Sequence, residues 1–123
     1  VPDGGLFYTL PRMVGLLRAK ELLLSARELD AATALEWGMV SEVVAAESLL
    51  ARARAMALSF ASASASGIGL IKSALARSFD SDLASMLAVE AAAQGIAFST
   101  DYHRAAARRF MEKQPPLFQW PSD

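Results

Sequence analysis

Met39-Val40-Ser41-Glu42-Val43-Val44 is the one stretch of this 123-residue chain that reads as a β-strand. Val40, Val43 and Val44 supply the β-branched side chains that suit a pleated surface. One strand cannot make a sheet by itself. The segment is therefore expected to pair with another chain, or with sequence outside these residues. On this reading the chain is part of something larger.

Outward from that segment the sequence reads as helix. Upstream, Asp30 is a good N-cap for a short helix from Ala31 to Trp37, and Gly38 is a natural residue to follow its end. Leu16 to Ser25 carries Leu16, Ala19, Leu22 and Leu23 on one helical face. Val1-Pro2-Asp3-Gly4-Gly5 has the composition of a turn. Leu6, Phe7 and Leu10 then repeat at helical spacing, Pro11 is expected to end or kink that helix, and Gly15 closes the segment. Downstream, a helix is expected from Glu47 to Ala61. Ser62, Ser64 and Ser66, alternating with Ala, then read as a tight connection between helices. Apolar periodicity resumes with Ile68, Ile71 and Leu75. Asp80 or Ser81 is expected to cap a long helix ending near Phe98, and Ser99-Thr100-Asp101 to cap a last one from Tyr102 to Lys113. Pro115 and Pro116 terminate it, leaving an irregular tail from Leu117 to Asp123. The expected fold class is mostly α with one short strand.

Composition agrees with this reading. Apolar residues make up 54% of the chain, enough for a core and too many for a disordered segment. Ala and Leu dominate them, and both are strong helix formers. Twelve Lys and Arg stand against thirteen Asp and Glu, so no general attraction to nucleic acid is expected. The absence of Cys excludes disulfides and thiolate metal sites. No apolar run approaches the roughly 18 residues of a spanning helix, and no membrane partner is expected.

Residues that could do chemistry are few. Asp3 stands beside two glycines before a helix start. It reads either as a turn or capping aspartate, or as a carboxylate placed close to a ligand. His103 lacks a Ser or Cys partner in a recognised motif and reads as a surface residue. Glu28/Asp30 and Asp80/Asp82 sit between helices with no His at ligand spacing, so no metal site is expected. Gly67-Ile68-Gly69 lacks the third Gly and the preceding strand of a dinucleotide fingerprint. Arg104, Arg108, Arg109 and Lys113 form a basic stripe on the last helix. It reads either as a solvated face or, with Phe110, as an edge that binds a phosphate or nucleotide.

Five spaced segments together resemble the crotonase, or enoyl-CoA hydratase/isomerase, family. Val1-Pro2-Asp3-Gly4-Gly5 through Leu10-Pro11-Arg12-Met13-Val14-Gly15 is similar to the P-x-G-G…L-P-R-x-V-G stretch. Arg18-Ala19-Lys20-Glu21-Leu22-Leu23-Leu24-Ser25-Ala26-Arg27 resembles R-A-K-E-L-L-L-T-G-R. Leu29-Asp30-Ala31 through Ala34, with Glu36-Trp37-Gly38-Met39-Val40, resembles I-D-A-x-x-A-x-x-W-G-L-V. Ile71-Lys72 follows the Gly67 turn. Phe98-Ser99-Thr100-Asp101 and Phe110-Met111-Glu112-Lys113-Gln114-Pro115-Pro116-Leu117-Phe118 resemble the F-x-T-x-D…F-x-E-K-R-x-P-x-F ending. The chain departs from the family at Asp101-Tyr102-His103-Arg104-Ala105-Ala106, which lacks the Glu-Gly of D-x-R-E-G, and at Gln114, where Arg is usual.

The resemblance implies the C-terminal helical trimerisation region of the crotonase fold, with a remnant of its β-β-α spiral. Residues 1–45 would be the core remnant and 46–123 the C-terminal helical domain. It implies an acyl-CoA substrate and an enolate-like oxyanion held by two backbone N–H groups, both supplied by the family's N-terminal portion. The expected parent is therefore an enoyl-CoA hydratase/isomerase-family enzyme, and the isolated chain is expected to be inactive. Asp3 matches the position where isomerases and dehalogenases of the family carry an acid/base or nucleophilic aspartate, and hydratases commonly carry Gly. Phe110 and Lys113 match positions that contact the nucleotide end of CoA, typically in a neighbouring subunit. No metal or redox cofactor is implied. A homo-oligomer, trimer or dimer of trimers, and a cytoplasmic location are expected. The other reading is a non-catalytic helical oligomerisation module.

Overall fold

The computed structural model describes residues 1–121. Among them it contains seven α-helices: α1 (Leu6–Val14), α2 (Leu16–Ser25), α3 (Ala31–Glu36), α4 (Leu49–Ala61), α5 (Ala65–Leu75), α6 (Leu83–Phe98) and α7 (Asp101–Met111). Short 3₁₀ turns precede α4 at Ala46–Ser48 and α6 at Ser78–Asp80. No strand occurs among the described residues. No single described helix is long and apolar enough to cross a membrane. The chain divides into two units, Val1–Leu49 and Leu50–Asp123.

In the first unit α1 packs on α2 around Leu10, Val14 and Ala19. Leu10 and Val14 lie four apart, on one face of α1. Ala19 is only 2% exposed, and its small side chain lets the two helices approach. Gly15 turns the chain between them in a single residue at φ +81°, with its amide bonded to the Pro11 carbonyl at 3.0 Å. Leu22, Leu23, Trp37 and Met39 pack around this cluster.

Of the two outcomes expected at Pro11, an end or a kink, the end does not occur: α1 runs through it to Val14. A proline inside a helix removes one backbone bond and crowds the preceding turn. Here Leu10 and Val14, on either side of it, are both buried. Their burial holds the last turn in place and offsets the lost bond. The Arg12 guanidinium also donates to the Tyr8 carbonyl at 3.0 Å.

Asp30 caps α3 as its sequence suggests, its carboxylate accepting from the Thr33 amide at 2.7 Å. The far end closes in a Schellman motif. Gly38 sits at φ +72°, its amide bonds the Leu35 carbonyl at 3.0 Å, and the Met39 amide bonds the Ala34 carbonyl at 2.8 Å. The expected strand Met39 to Val44 is not one. Met39 is committed to closing α3, and residues 42–45 run on without regular structure. A strand is defined by the ladder it shares, and no described segment offers one. The spiral remnant expected over 1–45 is accordingly a turn, three helices and an irregular segment.

In the second unit the connection between α4 and α5 is tight, as its small residues imply. Ser64 caps α5 through its Oγ, which accepts from the Gly67 amide at 3.1 Å. α5 packs on α6, and α6 on α7. The cap of α6 is Asp82, not Asp80 or Ser81. Its carboxylate accepts from the Ser85 amide at 2.9 Å and the Ser85 hydroxyl at 2.7 Å, while Asp80 is taken up in the 3₁₀ turn before it. Thr100 caps α7, accepting from the His103 amide at 3.2 Å. That helix stops at Met111, short of the expected Lys113. The tail is irregular, yet held: Phe118 and Trp120 pack against Phe60 of α4, with ring centres 6.0 and 5.7 Å away. Arg52 donates to the Pro121 carbonyl at 3.2 Å. The last two residues of the expected tail lie outside the described residues.

Candidate functional site

Asp3 lies in the first unit, at the entry to α1. Gly4 and Gly5 both adopt positive φ, +59° and +83°. Side chains with a β-carbon rarely adopt this region, so the two glycines permit the turn. The Leu6 amide bonds the Asp3 carbonyl at 3.2 Å. The N-cap position belongs to Gly5, with no side-chain cap bond. The capping reading of Asp3 therefore fails, and the turn reading holds, since Asp3 opens the turn that leads into α1. Asp3 is exposed, and its carboxylate takes no hydrogen bond among the described residues. Tyr8 and Arg12 follow on α1, the Arg12 guanidinium 3.4 Å from the centre of the Tyr8 ring. Their spacing of four could have announced that contact.

Phe110 and Lys113 lie in the second unit, and the Lys113 amide bonds the Phe110 carbonyl at 3.2 Å. Phe110 is 82% exposed, and Lys113 is exposed too. The basic stripe resolves into two kinds of residue. Arg104 is engaged by Asp101 and by the Ser99 carbonyl at 2.9 Å. Arg109 donates to the Pro115 carbonyl at 2.7 Å. Arg108 and Lys113 make no side-chain bond among the described residues. An exposed aromatic ring can stack on a base and an unengaged ammonium can meet a phosphate, so the two together suit a nucleotide.

Two features were not legible in the sequence. Trp37 is flanked by Arg18 and Arg27, with guanidiniums 4.8 and 5.2 Å from its rings, and Arg27 also pairs with Glu21 at 2.8 Å. Arg18 lies on α2 and Trp37 just past the end of α3, so no local spacing announces them. The second is an apolar groove of about 600 Å³ between α5 and α6, lined by Leu70, Ile71, Ala74, Met86 and Val89 with Glu90 among them. His103 is half-buried rather than simply on the surface, its ring 4.8 Å from that of Phe98.

Comparison with known proteins places the chain in a family. Residues 1–121 match the model of the enoyl-CoA hydratase/isomerase family. The chain belongs to that family. Its order of helices is that of the helical C-terminal region of the crotonase fold. The crystal structure of an enoyl-CoA hydratase/isomerase from Cupriavidus metallidurans CH34 is similar over 100% of this chain and 47% of its own, with 49% identity and a TM-score of 0.96. The 1,2-epoxyphenylacetyl-CoA isomerase of Escherichia coli K12 is 35% identical over 96% of this chain and 45% of its own length. The short-chain-enoyl-CoA hydratase of Clostridium acetobutylicum is 34% identical over 92% and 43%. The chain thus spans about half the length of the family members it matches.

Proposed function

We propose that this chain is a C-terminal piece of an enzyme that acts on acyl-CoA thioesters through an enolate-like intermediate, with Asp3 as its acid/base. The observation that carries the reading is the Asp3 turn. Two left-handed glycines hold a carboxylate that neither caps a helix nor pairs with a neighbour. Such a group is available to a substrate.

The chemistry follows from the thioester. A proton on the carbon next to its carbonyl is acidified, because the electrons left behind move onto the carbonyl oxygen. Fixed N–H donors stabilise that oxyanion strongly in a dry site. A carboxylate close to the carbon chain takes the proton and returns it to another carbon, so the double bond moves and nothing is lost. A low-polarity surrounding would bring the carboxylate nearer the range a general base needs. These 123 residues leave Asp3 open to solvent, so we expect no turnover from them alone. Phe110 and Lys113 would hold the nucleotide end of CoA.

Product mass tests the reaction. Full-length protein is incubated with a short enoyl-CoA. Isomerisation leaves the mass unchanged while the double bond moves. Hydration adds one water and would return the hydratase reading to first place.

A second reading, a helical oligomerisation module, is favoured by α6. Only Ser85, Glu90 and Gln94 interrupt its apolar surface, and a helix apolar all round is normally enclosed. Leu83, Leu87 and Ile96 are nevertheless exposed. The two readings are compatible, since one surface can assemble an enzyme whose chemistry lies elsewhere.

A further inference from the structure

We propose that Arg109 is a positioning residue for Lys113: it ties down the turn after α7, so that the Lys113 ammonium is held where it meets a phosphate of the CoA nucleotide end. The inference rests on the CoA reading of Lys113 given above, and goes beyond it by naming the residue that makes that contact possible.

The starting point is the backbone. Lys113 sits at φ +55°, in the left-handed region where glycine is the unstrained choice. The chain closes α7 with a Schellman motif around it. Besides the Lys113 to Phe110 bond, the Gln114 amide reaches the Arg109 carbonyl at 2.9 Å. These main-chain bonds could be made around any residue, and glycine would make them with less strain. A lysine at this place keeps a cation there at a conformational cost, as strained positions at binding sites often do.

The third constraint belongs to one side chain. Arg109 donates its Nε–H to the Pro115 carbonyl at 2.7 Å. Pro115 and Pro116 have no N–H, so neither can extend the turn with an amide bond of its own. The guanidinium supplies the missing tie. Arg109 thus grips the departing chain twice, by its carbonyl at Gln114 and by its side chain at Pro115, with Lys113 between helix and grip. Without the side-chain tie, residues 113–116 gain freedom and Lys113 can relax out of the left-handed region. Its long flexible stem would then spread the ammonium over many positions.

The test compares affinities of the full-length protein for CoA and for dephospho-CoA, which lacks the 3′-phosphate. Lys113→Ala is expected to weaken CoA by about 10-fold, the scale of one lost charge-assisted bond, and dephospho-CoA little. Arg109→Gln is expected to give the same selective loss, and Arg109→Lys, which retains a donor, a smaller one. The double variant Arg109→Gln/Lys113→Ala should be no weaker than Lys113→Ala alone, because the two residues act as a unit. If Lys113→Ala leaves both affinities unchanged, the CoA reading of Lys113 itself fails; an equal fall in both keeps that reading and overturns the contact with the 3′-phosphate. If Lys113→Ala moves the ratio and Arg109→Gln does not, that reading stands and the positioning role is overturned. Equal loss on both ligands, adding to that of Lys113→Ala, would make Arg109 merely structural. Should Arg109→Gln not fold, Arg109→Lys decides by the same ratio: a loss confined to CoA, smaller than that of Lys113→Ala, supports the tie, and a parent-like ratio or an equal loss on both ligands overturns it.

Discussion

The Met39 amide meets the Ala34 carbonyl at 2.8 Å, and this bond closes α3 and sets the direction in which the chain leaves it. It depends on Gly38, the residue between helix and exit, at φ +72°.

Gly38→Ala is therefore expected to destabilise the fold by about 1–2 kcal/mol, the cost of a β-carbon in left-handed backbone. A β-carbon at Gly38 would meet nothing within 4 Å, so the loss is conformational rather than steric. Gly38→Asn should cost less, because Asn tolerates this region better. Chemical denaturation of the three proteins checks the order. Equal stability of Gly38→Ala and the parent would show that the motif does not require glycine.

Asp30 and Asp82 make stability depend on acid. The amide of Thr33 holds the Asp30 carboxyl below the usual carboxylate value, and the amide of Ser85 does the same for Asp82. Both groups thus bind protons less readily folded than unfolded. Their contribution is present above the unfolded value and is lost as pH falls through the folded one. Helicity followed by circular dichroism should fall as pH drops below about 4. In Asp30→Asn/Asp82→Asn, which keeps two capping oxygens, the fall should be smaller. An unchanged acid profile in that variant would locate the loss elsewhere.

The isolated 123-residue chain should self-associate. α6 exposes Leu83 and Leu87, and Ile71 and Leu75 of α5 are exposed beside them. Apolar surface of this kind favours association. Sedimentation at micromolar concentration should show species larger than 13.1 kDa, and Ile71→Glu should shift them toward monomer. A concentration-independent monomer for the parent chain would contradict this.

The helices and most of their ends were legible because their signals are local. Asp30, Gly38 and Thr100 each act within four residues of their own position, where sequence spacing maps directly onto backbone bonds. The strand at Met39 to Val44 misled because valine content reports a preference for a pleated surface, and that preference has no effect without a neighbouring ladder. The end expected at Pro11 fails for the opposite reason: a local breaker is overruled by the burial of Leu10 and Val14. At the candidate site, Asp3, Phe110 and Lys113 are candidates by motif. The left-handed backbone of Lys113 and its Arg109–Pro115 tie were not legible, because neither residue type announces them. Arg18 against Trp37 was beyond reach, since only packing brings two helices together.

The central claim is that Asp3 moves the proton, and turnover by the full-length Asp3→Asn enzyme tests it most directly. Asn has nearly the shape of Asp but cannot take up a proton at this pH, and no capping bond is at stake. The account predicts a fall in kcat of about 100-fold or more, the scale of a lost general base, with substrate affinity nearly unchanged because CoA is held by other groups. Parent-like turnover by a folded Asp3→Asn enzyme would contradict it and remove Asp3 from the mechanism.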